Sequence, residues 1–287
     1  MSRMRSGTIF AVAMLFAAPG LAREAVPLTP QTAAQDHFIA IDGGHNFRDT
    51  GGNRTAEGRN TRRGMFYRSA SMASLSPQGM AQLQALHIGS IIDLRSTQER
   101  RADTSNWLAA SDQGYWARDY SLDNSGFAAM FGDPAKLTAD SVRSAMAQGY
   151  RSMPKMLAPS YRELFARLVA GKGAVVVNCT AGKDRTGIGT ALVLTALGVP
   201  YATVREDFLL SNLAVRNTSR SGDNGFASQL AALPREVLVP LAGVEGPYLD
   251  AAFDQIRADY GSVEAYLAKE LGVGPRELAR LRRRMLI

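Results

Sequence analysis

The chain reads as an α/β domain with a central, mostly parallel sheet flanked by helices and a helical C-terminal part. Three observations predict this. Strand-like and helix-like stretches alternate, first in "GMFYRSAS", "SPQGMAQLQALHI" and "SIIDLRS", then in "SYRELFARLVA", "AVVVNC" and "RTGIGTALVLTALG". The strand candidates contain short continuous apolar runs, as expected of parallel strands buried on both faces. With 287 residues, 46% of them hydrophobic, the chain can bury a sizeable core.

The elements follow in order. Arg3 and Arg5 precede an apolar stretch over about residues 9–18, and Gly20 and Ala22 form a small-x-small arrangement, so residues 1–22 are expected to be a signal peptide cleaved after Ala22. That stretch is shorter than the ~20 residues needed to cross a bilayer, and no later segment is apolar for long enough. The mature chain is therefore expected to be periplasmic or secreted, with no integral membrane segment. Residues 23–35 read as a linker and 36–287 as one domain. In "HFIAIDGGHNFRDTGG", paired glycines bracket Arg48 and Asp49 in a turn-rich loop. Ser76 is an N-cap and Pro77 opens a helix. Asp93, Arg95 and Ser96 cluster at the C-terminal end of the next strand. Residues 119–159, irregular and rich in methionine, are expected to be either a loop-and-helix cover over the site or a plain helix hairpin. From Val204 onward helices dominate, with a weaker segment around 226–238, and the arginines of "RLRRRMLI" suit the C-terminal end of a helix dipole.

The formal net charge is +7, to which Arg3 and Arg5 contribute two. A basic chain favours anionic partners. The arginines are dispersed and not interleaved with aromatics, so nucleic acid is not expected as a partner. Cys179 is the one cysteine, so no internal disulfide can form, and in an oxidising compartment the thiol is either buried and inert or reactive.

Its surroundings favour reactivity. A run of valines, Cys179, five further residues, Arg185, and then Thr186 and Gly187 opening an apolar helix place a loop between a strand end and a helix N-terminus. Backbone N–H groups and the helix dipole there can hold an anion of phosphate size, and the same field favours a thiolate. The planar fork of Arg185 can grip two phosphate oxygens. A nucleotide-binding Walker loop does not fit, because Asp184 stands where Ser or Thr is needed and Val177 where the first glycine belongs. Nor does a zinc site, since one cysteine and three scattered histidines show no ligand spacing.

The stretch "NCTAGKDRTG" resembles the "HCxxGKDRTG" signature of cysteine-dependent tyrosine phosphatases, in particular the bacterial branch of tyrosine and dual-specificity protein phosphatases that also act on phosphoinositides. "NFRDTGG" (46–52), "YRSAS" (67–71), "IIDLRS" (91–96), "FLLSN" (208–212) and "YGSVEAYL" (260–267) resemble other blocks of that family. The resemblance covers nearly the whole mature chain and implies a phosphomonoester hydrolase working through a phosphocysteine. It implies Cys179 as nucleophile. Arg185 and the loop amides of Thr180, Ala181, Gly182, Lys183, Asp184 and Arg185 would hold the phosphate. Thr186 would donate its hydroxyl to the leaving sulfur. Asp184 would be the general acid, with Asp103, Asp119, Asp123 and Asp133 as the alternatives upstream. Lys183 would extend the positive field towards a second phosphate or an inositol ring. Asp93 and Arg95 would either position substrate in the pocket or simply pair with each other, and Arg48 and Asn178 are further candidates for the pocket. No metal and no cofactor are implied. The partner would be a phosphotyrosine-containing protein or a phosphorylated small molecule or lipid.

One position departs from the signature: Asn178 replaces the histidine before the cysteine, which leaves a non-catalytic phosphate-binding pseudophosphatase as the alternative. Sulfur transfer and arsenate reduction also use a cysteine in an anion-binding loop. Arsenate reduction usually needs further cysteines that this chain lacks, and the remaining blocks lend no support to sulfur transfer.

Overall fold

A computed structural model of the chain describes residues 37–104, 114–122, 137–215 and 233–287. The expected signal peptide and linker, Asp123 and Asp133, and part of the weak segment at 226–238 lie outside these residues.

Five strands form one sheet in the order β1-β2-β5-β3-β4. They are β1 (Arg48–Asp49), β2 (Phe66–Ser69), β3 (Ile88–Asp93), β4 (Gly114–Ala117) and β5 (Ala174–Asn178). β1 is antiparallel to β2, and every other pairing is parallel. β5 lies in the middle, and its last residue, Asn178, is level with Ser69 on one side and Asp93 on the other. The chain following β5 thus emerges at the carboxyl edge of the sheet, where open α/β sheets gather ligands. Two strands differ from expectation. The segment read as a glycine-bracketed loop contains the two-residue β1, and "GYWA" pairs as β4.

Eleven helices lie among the described residues. Those before β5 are α1 (Pro77–Ala85), α2 (Thr97–Ala102), α3 (Ala139–Met156) and α4 (Ala158–Ala170). After it come α5 (Arg185–Ala196), α6 (Tyr201–Leu209), α7 (Ser211–Val215), α8 (Arg235–Ala242), α9 (Gly246–Tyr260), α10 (Val263–Lys269) and α11 (Pro275–Met285). Ser76 caps α1 by accepting from the Gly79 N–H. In the region 119–159, expected to hold a loop and helix or a helix hairpin, the helix is α3 from Ala139 onward, started by a reciprocal cap of Thr138 and Ser141.

The valines of β5 alternate between two cores, as a period of two requires. Val175 and Val177 pack with Phe66, Ile92, Leu164, Leu192 and Phe253 on the face covered by the larger helical layer. Val176 packs with Phe47, Tyr67, Leu83 and Ile91 on the opposite face, beneath α1 and the N-terminal loop. Each buried valine or leucine stabilises this arrangement by roughly 1.5–3 kcal/mol relative to exposure. A small third cluster of Val142, Val237 and Leu241 joins α3 to α8. No helix among the described residues is long and apolar enough to cross a membrane.

Candidate active site

β5 ends at Asn178 and α5 starts at Arg185, so residues 179–184 form the expected strand-to-helix loop. Cys179 begins it and is buried. Gly182 has φ +66°, and a Cβ there would lie 2.5 Å from backbone atoms of Ser69 and Ala70. Only glycine lets the loop pack this closely on the end of β2.

The loop carbonyls are engaged from outside. The Ser71 N–H donates to Thr180 O at 3.0 Å. Asn46 Nδ2 donates to Ala181 O at 3.2 Å and to Gly182 O at 3.0 Å, and Arg68 Nη2 to Gly182 O at 2.9 Å. Tyr161 donates its hydroxyl to Arg185 O at 2.8 Å. Among the described residues, no backbone carbonyl outside regular elements accepts from the N–H groups of residues 180–184. With the carbonyls tied to the scaffold, these N–H groups are left for an anion bound at the helix start.

Arg185 is buried and paired with Glu99. Nη2 lies 2.6 Å from Oε1 and Nη1 2.7 Å from Oε2. Nη1 also donates to Leu94 O and the Tyr120 hydroxyl, both at 3.2 Å. Glu99 closes a capping box with Ser96 at the start of α2 and accepts from the Thr180 hydroxyl. Burial works to raise the Glu99 carboxyl, but the bonds and charge of Arg185 and the Thr180 bond outweigh it and hold the group at about 2. Burial works to lower Arg185, and Glu99 together with Cys179 more than reverses it. Both groups are therefore ionised at neutral pH. Glu99 was not among the residues singled out from the sequence. The pattern Ser96-x-x-Glu99 marked a helix start, but nothing local linked it to Arg185.

Asp184 Oδ1 accepts from the Tyr150 hydroxyl at 2.6 Å. Tyr150 is fully buried on α3, and burial followed by the Asp184 charge pushes its hydroxyl well above the ordinary value, so it stays a proton donor. α3 thus reaches the loop through Tyr150. Of the upstream aspartates, Asp103 is held by Arg95 at 3.2 Å and by Ser71 at 2.6 Å. Asp119 is paired with Arg100 at 2.5 Å. Among the described residues no group of three or more His, Cys, Asp or Glu is placed to hold a metal ion.

A family model described as the tyrosine phosphatase family matches residues 39–287. The chain belongs to the tyrosine phosphatase family. It is 33% identical over 269 residues to a Cupriavidus necator protein provisionally named a tyrosine-protein phosphatase, covering 90% of this chain and 93% of the relative. It is 30% identical over 276 residues to the triple specificity protein phosphatase PtpB of Mycobacterium tuberculosis, covering 84% and 96% respectively. A tyrosine-protein phosphatase of Nostoc commune shares 29% identity over 225 residues, covering 77% of this chain and 74% of the relative. The protein is a phosphoric monoester hydrolase.

Of the remaining candidates in this phosphatase, Lys183 and Arg48 sit differently from expectation. Lys183 points neither into solvent nor towards a second phosphate. Its Nζ donates to Leu241 O at 3.0 Å and Gly243 O at 2.9 Å, bolting the loop to the end of α8, and lies 3.6 Å from Asp184 Oδ1. Arg95 and Asp93 pair with each other, one of the two roles expected for them, in a buried ion pair at 2.8 Å, and Tyr115 donates to the same carboxylate. Asn178 is fully buried beneath the loop, where its Nδ2 donates to Asp93 Oδ1 at 3.2 Å. Thr186 is buried next to Arg185, and its hydroxyl has no hydrogen-bond partner within the protein.

Arg48 also leaves the pocket wall. It is fully buried and bonded to Asp207 and Asn46. Asp207, on α6, pairs with Arg68 at 2.7 Å as well. Burial and then Arg68 pull Arg48 down to about 9 against the opposing pull of Asp207, which still leaves it a cation at neutral pH. Asp207 and Arg68 carried no signal in the sequence as a pair, since 139 residues separate them.

Proposed function

We propose that the protein hydrolyses phosphotyrosine-type monoesters through a phosphocysteine on Cys179. The observation that supports this reading is the loop itself: the carbonyls of Thr180, Ala181 and Gly182 are bonded outward, the N–H groups of residues 180–184 have no backbone partner among the described residues, and Arg185 is near enough to Cys179 to be acted on by its charge. The Cys179 thiolate attacks phosphorus, an S–P bond forms, and the P–O bond to the leaving group breaks. Asp184 gives its proton to the departing oxygen, while Arg185 and the loop amides stabilise the equatorial oxygens. In the second step water attacks phosphorus and returns a proton to Asp184. The S–P bond breaks, and the Thr186 hydroxyl, which has no partner within the protein, supports the leaving thiolate. Asp184 is the acid best supported among the described residues, because it stands inside the loop with Tyr150 fixing one oxygen, whereas Asp103 and Asp119 are tied to arginines.

The substrate class is a phosphotyrosine protein, with extension to phosphoserine, phosphothreonine or phosphoinositide supported by the likeness to a triple specificity relative. Arg3, Arg5 and the apolar stretch after them support export to the periplasm or beyond. Turnover of para-nitrophenyl phosphate by the mature chain, with and without Cys179→Ser, tests the reaction. Activity surviving that substitution refutes it. Catalytic efficiencies across phosphopeptides and phosphoinositides then decide the substrate.

A further inference from the structure

Arg48, Arg68 and Asp207 lie beneath the catalytic loop, 0%, 0% and 7% exposed. The ion pairs of Arg48, at 3.4 Å, and of Arg68, at 2.7 Å, both run to Asp207, so two cations share one carboxylate. A surplus positive charge is thus held in the interior, where an unbalanced charge is costly.

The position of Arg68 indicates where that surplus is balanced. One of its arms pairs with Asp207, and the other donates through Nη2 to Gly182 O. The same nitrogen would lie 3.3 Å from a Cβ on Gly187, in the first turn of α5, so glycine there leaves room for the guanidinium. The Gly182 carbonyl shares its peptide unit with the Lys183 N–H, one of the donors left for phosphate. A cation bonded to the oxygen of an amide polarises it and strengthens its N–H as a donor.

We propose that Arg68 is a positioning residue for the phosphoryl group: its charge, behind the Gly182–Lys183 peptide, raises the affinity of the loop for a phosphate dianion, and Asp207 sets how much of that charge remains. Arg68 acts through Gly182 and not by touching substrate. The inference rests on reading residues 179–185 as a phosphate-binding loop.

A purely structural brace and an electrostatic one predict different signs. If the cluster only holds the loop in shape, Arg68→Gln and Asp207→Asn both loosen it and both weaken phosphate binding. If its charge matters, Arg68→Gln removes one positive charge and weakens binding, while Asp207→Asn removes the negative charge and tightens it. A unit charge acting over about 10 Å at an effective dielectric of about 20 changes a binding constant roughly tenfold.

The test is protection of Cys179 from iodoacetamide by inorganic phosphate at pH 7, with folding of each variant checked by circular dichroism. The half-protecting phosphate concentration is expected to rise roughly tenfold in Arg68→Gln and to fall severalfold in Asp207→Asn. A rise in both, or no change in either, overturns the proposal. Should Asp207→Asn fail to fold, Arg68→Lys keeps the charge but loses the two-armed guanidinium that braces the loop. It is expected to retain most of the wild-type protection, and a loss as large as that of Arg68→Gln in the folded variant overturns the proposal. A wild-type protein that phosphate does not protect would instead bring down the phosphate-loop reading on which the proposal stands.

Discussion

Glu99 holds Arg185 by both carboxylate oxygens, at 2.6 and 2.7 Å, and thereby joins the first turn of α2 to the first residue of α5. A two-point bond fixes the plane of a guanidinium as a single bond cannot. The guanidinium has five N–H donors; Glu99 takes one on each Nη, Leu94 O and the Tyr120 hydroxyl share the other on Nη1, and Nε with the second Nη2 N–H, 3.4 Å from Thr180 Oγ1, remain to face phosphate. Glu99→Gln keeps the shape but removes the charge. Its kcat/KM on para-nitrophenyl phosphate should fall roughly 10- to 100-fold, the equivalent of one charge-assisted hydrogen bond. Steady-state kinetics measure this, and an unchanged kcat/KM would show that the pair does not align Arg185.

The same pair should leave a mark on acid stability. Burial opposes ionisation of Glu99, yet Arg185 and Thr180 hold it at about 2, below the ordinary value of ~4.3. A carboxyl lowered in the folded state contributes stability that is complete above its unfolded value and is lost as pH falls through the folded one. The melting temperature of the wild type should therefore drop more steeply than that of Glu99→Gln between about pH 4.5 and 2. Parallel curves would contradict the assignment.

Asp184→Asn separates the two chemical roles of the loop. A para-nitrophenolate leaves readily without a proton, whereas a phosphoserine oxygen does not. Loss of a general acid should cost roughly 10²- to 10⁴-fold in kcat on the poor leaving group and far less on the good one. Tyr150→Phe, which deletes the hydroxyl bonded to Asp184, should shift the same ratio in the same direction by a smaller factor. Equal losses on both substrates in Asp184→Asn would move the acid elsewhere.

How much of this was legible follows from where each signal lies. The order of β5, loop and α5 is local, so Cys179, Gly182 and Arg185 stand out from the sequence alone. The Ser76 cap and the C-terminal helices are local as well. β1 has two residues, too few for a period to register, and the "GYWA" of β4 is half-buried throughout and shows no alternation of polar and apolar residues. Glu99 and Asp207 act on residues 86 and 139 positions away, and only the start of α2 just after β3 and the packing of α6 against α5 bring them there. The place of Lys183 is hidden from the sequence for a related reason. A lysine in an anion-binding loop suggests a ligand contact, but the end of α8 offers it two carbonyls, and a buried ammonium needs them.

Lys183→Met should accordingly be a stability variant. Losing hydrogen bonds from a charged group costs roughly 1.5–3 kcal/mol, a fall of several degrees in melting temperature for a chain of this size. KM values for a monophosphate and a bisphosphate substrate should change by the same factor. A loss confined to the bisphosphate would restore Lys183 as a ligand for a second phosphate.

The sulfur of Cys179 is the centre of the account, and its covalent intermediate can be seen directly. Wild-type protein mixed with ³²P-labelled phosphotyrosyl peptide and quenched in acid within milliseconds should carry label on the Cys179 peptide, as an S-phosphate, and none on Cys179→Ser. Turnover with no label on that peptide, or label on a different residue, would contradict it.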